Sequence, residues 1–244
     1  MSAMAASPAL ARPYVPNRKA DRVFFPAMVA LLLATVLFGF AKTYFLAGMV
    51  AAPLPNKLIH IHGAVFTLWM VLLIVQTGFI SAHKVQWHMK LGLFGFGWAV
   101  LMVVLGSLAA VDALRRGEGP LGLDPVSFFV IPTTSIVLFA FFTLMAYRAR
   151  KKPEAHKRLI MIATIGIMDA AVGRWPIALF QQHPPMQDLV PFGFLLLMVA
   201  YDLFNLHRFS KTTLWAGALL MAVHLTRVPL GLSHPWHAMV SHLL

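Results

Sequence analysis

TTLWAGALLMAVHLTRVPLGL, residues 212–232, holds two ionisable side chains, His224 and Arg227, inside an otherwise apolar run. A helix of about 20 residues crosses roughly 30 Å of hydrocarbon, so this stretch reads as a membrane span. An ionisable group within a span costs roughly 2.5–3.5 kcal/mol on insertion scales, so it is expected to turn inward, find a partner and serve a function. Two other apolar blocks share the pattern. One carries Asp169 and Arg174, and another opens with His60 and His62.

The composition agrees with a membrane reading. Hydrophobic residues are 59% of the 244 and charged ones 11%, and mean hydropathy is +0.76. A soluble domain would carry about 25% charge. Seven blocks are long enough to span, at about 23–46, 58–81, 88–112, 125–148, 157–180, 187–207 and 212–232. Pro53 and Pro55, Arg115 to Pro125, Arg148 to Pro153, His183-Pro184-Pro185 and Ser210-Lys211 punctuate them. The predicted fold is all-α: a polytopic seven-helix bundle, one lead helix and three hairpins. It forms one domain over 23–232, after a basic tail (1–22) and before a short C-terminal segment (233–244). A β-barrel would need short alternating segments, which the chain lacks.

Basic residues set the expected orientation. With the N-terminus inside, the inner segments carry Arg12, Arg18, Lys19, Arg22, Lys84, Lys90, Arg148, Arg150, Lys151, Lys152, Lys157, Arg158, Arg208 and Lys211. Lys57, Arg115 and Arg116 fall outside. That asymmetry predicts a bacterial inner-membrane protein, N-inside and C-outside. The net charge of +12 is spread between apolar blocks, which suits anionic lipid and not nucleic acid. Without cysteine there are no thiolate ligands, Fe–S clusters or c-type haem. No lysine lies mid-span for a retinal Schiff base, and no nucleotide loop, hydrolase triad or zinc-protease motif occurs.

Counting at 1.5 Å per helical residue from the inner edge puts Arg174 about 24 Å up its span, Arg227 about 22 Å and His224 about 18 Å. Asp169 falls near the midplane, while His60 and His62 enter from the outer side. These residues therefore share one slab in the outer half of the bundle. His62 begins a heptad stripe with Trp69, Gln76 and His83, which makes it a better inward candidate than His60.

Three chemistries suit this set. Haem b with electron transfer, to or from quinone, would use His62 and His224 as axial ligands and Arg174 and Arg227 on the propionates. Trp69 and Gln76 would line that site, and Asp169 would accept a proton or orient a ligand histidine. A copper or zinc site would instead gather His60, His62, His224, His234 and His237, with His183, Met186 and Met239 nearby. A proton-coupled transporter would string Asp169, Asp202 and His224 along a path and would need broken helices and an inverted repeat, whereas the hairpin repeat of this chain runs parallel and counts against it. Structural pairing, for instance Asp169 with Arg227, is the plain alternative.

On the inner side, His88-Met-Lys-Leu91 and His156-Lys-Arg-Leu159 repeat 68 residues apart, with His207-Arg208 as a degraded third copy. Basic first turns suggest that His88 and His156 meet lipid phosphate or cap a neighbouring helix. Asp202 and Asn205, three residues apart on the sixth span, need partners.

The run His60-Ile-His62-Gly63, with Trp69, Gln76 and His88-x-x-Leu91-Gly92, resembles a broad bacterial group of multi-span inner-membrane proteins with histidines at helix ends. His156-Lys-Arg-Leu-Ile-Met161 extends the likeness over roughly residues 55–175. Members of that neighbourhood are associated with respiratory oxidase assembly. The resemblance implies a histidine-centred membrane function and leaves haem, copper or neither open.

Overall fold

The structure, a computed structural model, is described over residues 18–46, 56–119 and 123–243. The basic tail before Arg18, together with Pro53 and Pro55, lies outside the described residues. Among the described residues, ten α-helices follow one another: α1 Arg18–Phe40, extended by a π turn Ala41–Phe45, then α2 Lys57–Ser81, α3 Val85–Arg115 and α4 Pro125–Arg148. After them come α5 Pro153–Ile165, α6 Asp169–Val172, α7 Ala178–Gln182, α8 Leu189–Leu206, α9 Lys211–Gly231 and α10 His234–Val240. The C-terminal segment thus forms a helix with a closing turn at Ser241–Leu243.

Six of these helices are long and apolar enough to cross a membrane: α1 with its extension, α2, α3, α4, α8 with the turn before it, and α9. Phe204, Leu93, Leu196 and Val100 are 82, 69, 68 and 65% exposed, as lipid-facing side chains would be. The remaining apolar block departs from the continuous helix expected over 157–180. At 13 residues, α5 rises only about 20 Å. The chain then tightens, the N–H groups of Ile167 and Met168 donating to the carbonyls of Thr164 and Ile165. A second such turn follows α6, with Arg174 N–H on Ala171 and Trp175 N–H on Val172. These three-residue bonds keep the backbone satisfied while bending it, and Pro176 has no N–H with which to resume the helix.

The broken element is buried because the others surround it. α1 packs on α2, α2 on α3, α3 on α4, α4 on α9 and α9 on α8. The circle closes where Phe24 of α1 stacks on Tyr201 of α8 at 3.9 Å and the Tyr201 hydroxyl donates to Asp21 at 2.7 Å. α5 sits within, against α4, α8 and α9. From α2, Trp69 reaches in to donate to the Thr164 hydroxyl at 3.2 Å. α1 crosses α6 so closely that a Cβ on Gly39 would lie 2.1 Å from the Ala171 carbonyl oxygen; only glycine fits there. A core of interlocking aliphatic and aromatic side chains fills the space between.

One end of the bundle carries the α2–α3, α4–α5 and α8–α9 turns. Charged side chains clamp it. Arg158, fully buried, donates to the equally buried Asp202 and to Glu154, and Thr213 also donates to Asp202. Lys157 pairs with Asp21 at 2.7 Å, and Asn205 donates to the Tyr201 hydroxyl. Asp202 and Asn205 thereby find the partners their burial demands.

Candidate functional site

The opposite end holds a cluster assembled from three elements. Asp169 opens α6 just beyond the first break, Asp188 ends the turn before α8, and His224 and Arg227 lie one helical turn apart on α9. His224 is 2% and Arg227 5% exposed. The Arg227 guanidinium forks, Nη1 donating to Asp169 Oδ2 at 2.5 Å and Nη2 to Asp188 Oδ1 at 2.6 Å. Asp169 Oδ2 also accepts from the Ser135 hydroxyl at 2.9 Å. His224 Nδ1 lies 2.9 Å from Asp188 Oδ1 and 3.9 Å from Asp169 Oδ1.

Two carboxylates, one guanidinium and one imidazole thus share a small buried volume. Their inventory is incomplete. Asp169 Oδ1, His224 Nε2 and Arg227 Nε are buried with no protein partner among the described residues. Buried polar atoms are rarely left so, and three at one cluster point to a ligand, ion or water that belongs there. Asp169, Asp188 and His224 each offer a ligand atom, all within 4.8 Å of one another. No other group of three potential metal ligands occurs among the described residues.

The remaining candidates from the sequence fall elsewhere. His62 faces inward, half-buried, with its Nδ1 buried and unpartnered; its ring contact is Phe66 at 4.1 Å. His60 is exposed, its ring 6.0 Å from that of Tyr44. Trp69 and Gln76 continue the inward stripe, 2% and 8% exposed, whereas His83 sits exposed in the α2–α3 turn with a φ of 60°. Arg174 stands apart from Arg227: it is exposed, donates to Ala170 O at 2.6 Å and lies over the Phe40 ring at 4.8 Å. His237 bonds the Ser127 hydroxyl at 3.0 Å, and Trp236 donates to Val126 O at 2.8 Å, docking α10 on α4. His60, His62, His234 and His237 do not converge.

Asp188 and Ser135 escaped the sequence reading. A signal for Asp188 existed: the chain has only eight acidic residues, and this one opens an apolar block. Ser135 had none, because a serine on a spanning helix ordinarily bonds its own backbone.

No protein-family model, curated protein or solved structure matches this chain.

Proposed function

We propose that the chain is a multi-pass inner-membrane protein that binds a divalent metal cation in the outer half of its bundle. Asp169, Asp188 and His224 are the ligands. The reading rests on one observation: three potential ligand atoms converge inside the bundle, and Asp169 Oδ1 and His224 Nε2 there lack partners. One imidazole and two carboxylates suit zinc or manganese better than Cu(I), which prefers softer sulfur donors. Arg227 holds one oxygen of each carboxylate and cancels one of their two charges. With a neutral imidazole the cluster carries a net charge near −1, which attracts a cation.

The seven-crossing, N-inside topology follows from counting the broken α5–α6 element as a span. Interrupted helices bring polar backbone to membrane depth where carriers bind their ions, and here the break adjoins the cluster. A carrier for the bound cation is the activity this arrangement supports.

Equilibrium dialysis of the detergent-purified protein against zinc and against manganese tests the site. Wild type should hold about one equivalent in the outer cluster, with His224→Ala and Asp188→Asn each weakening it by at least the 10–100-fold that loss of a ligand's supporting partner costs. Unchanged binding in both variants would dismiss the proposal.

A second reading has its own support. His224 rests Nδ1 on Asp188 and leaves Nε2 free, as an imidazole does when it ligates haem iron. Haem b would then take His224 and His62 as ligands, with quinone as electron partner. A Soret band that vanishes in His224→Ala would favour this reading over the cation carrier.

A further inference from the structure

The acidic cluster holds one buried atom that a cation cannot satisfy. Of the three atoms there without a protein partner, Asp169 Oδ1 and His224 Nε2 are acceptors, but Arg227 Nε is a donor. The histidine's role follows from its other nitrogen. Nδ1 lies 2.9 Å from Asp188 Oδ1, and a carboxylate only accepts, so Nδ1 carries the proton and Nε2 offers a lone pair. A cation draws in the two acceptors and leaves the Arg227 N–H buried without one, which is costly.

Charge leads to the same vacancy. Asp169, Asp188, Arg227 and a neutral His224 carry one negative charge between them, and a divalent cation turns that into one positive charge. Among the described residues, no further carboxylate pairs with His224 or Arg227. Both side chains are buried, and an unbalanced charge in such surroundings is unfavourable. One monoanion restores neutrality.

Coordination agrees. The cluster supplies three ligand residues, and zinc held by three protein ligands leaves its fourth position to a molecule from outside. The place is set by Arg227. Its guanidinium is flat and rigid, so an acceptor on Nε lies beside one of the carboxylate oxygens that Nη1 and Nη2 already hold.

We infer that the site takes its divalent cation together with one small monoanion of the carboxylate class, which fills the open coordination position and accepts from Arg227 Nε–H. The inference rests on the cation reading above and names what binds with the ion. The loaded cluster is then neutral, and each ion raises the affinity for the other.

Formate and acetate are the probes. Zinc binding to the detergent-purified chain is measured by equilibrium dialysis in a bulky sulfonate buffer, with and without each anion. Formate should tighten zinc by about 5–150-fold, the ordinary range of coupling between ligands, and zinc should tighten formate by the same factor. The effect should vanish in His224→Ala, which places it at this cluster. Arg227→Lys keeps a positive charge but has no Nε–H, so formate should change zinc affinity less there, whatever happens to zinc alone. Wild type gives a reading that does not depend on that variant folding. Manganese-loaded protein with isotopically labelled formate should show carbon coupling in electron–nuclear double resonance, the mark of an anion in the metal's shell. Zinc bound equally with and without either anion, with no carbon coupling, overturns the inference and leaves the cation site standing. Anion coupling that persists in His224→Ala overturns it as well. Zinc bound under no condition overturns both readings.

Discussion

Arg227 meets Asp169 and Asp188 at once, so its removal leaves two carboxylates buried with one histidine between them. Breaking a buried ion pair from one side costs about 3–5 kcal/mol, whereas replacing all its members by apolar or neutral groups is often neutral. Arg227→Leu should therefore lower the melting temperature sharply. Arg227→Leu combined with Asp169→Asn and Asp188→Asn should recover most of the loss, yet leave zinc unbound. Recovery of stability together with binding would reduce the cluster to a structural clamp. At this scale the sequence exposed the inward-turned groups, since His224, Arg227 and Asp169 stood out as ionisable residues in apolar runs. The fork of Arg227 was half visible, because its Asp169 arm joins two residues in spans. Its Asp188 arm was not, because the partner sits in a turn whose path no periodicity describes.

At the scale of elements, close crossings and caps carry the next expectations. Gly39→Ala would push a methyl into the Ala171 backbone, an overpacking expected to cost about 1–3 kcal/mol. Gly97→Ala on α3 meets open space and should stay within about 0.5 kcal/mol. Thermal unfolding of the two variants reads the difference, and equal melting temperatures would contradict the α1–α6 crossing. Asp124 caps α4, accepting from the N–H groups of Val126 and Ser127 at 3.0 Å. Hydrogen bonding from Ser127 holds its carboxyl below the usual range. The cap's contribution is thus present above the ordinary carboxylate pKa and lost as pH falls through the lowered one. Asp124→Ala should cost about 1 kcal/mol at neutral pH, and its deficit should shrink in acid, as melting at two pH values would show. Helix existence was legible from block length alone. The break at 166–168 was not, because Gly166, Ile167 and Met168 carry no strong breaker and the bend is stabilised by neighbouring helices. The same limit hid the contact between His88 and His156: the sequence showed the repeat, but only the packing of the helices brings the two rings edge to face, 6.3 Å apart.

For the molecule as a whole, the topology is open to direct labelling because the chain has no native cysteine. Lys151→Cys, between α4 and α5, and Met186→Cys, before α8, should react with an impermeant maleimide from opposite sides of the membrane. Lys151 faces the cytoplasm in this account. Reaction from one side by both would mean that the α5–α6 element does not cross. The proposed cation site draws on three elements, with Asp169, Asp188 and His224 converging at one end of the bundle. The outer site is the central claim, and its ligand shell is the most direct test. Zinc K-edge X-ray absorption should be recorded on zinc-loaded protein. The account predicts a shell of one imidazole nitrogen and carboxylate oxygens at about 2.0–2.2 Å, abolished by His224→Ala. A shell built from histidines alone, or one unchanged by His224→Ala, would contradict it.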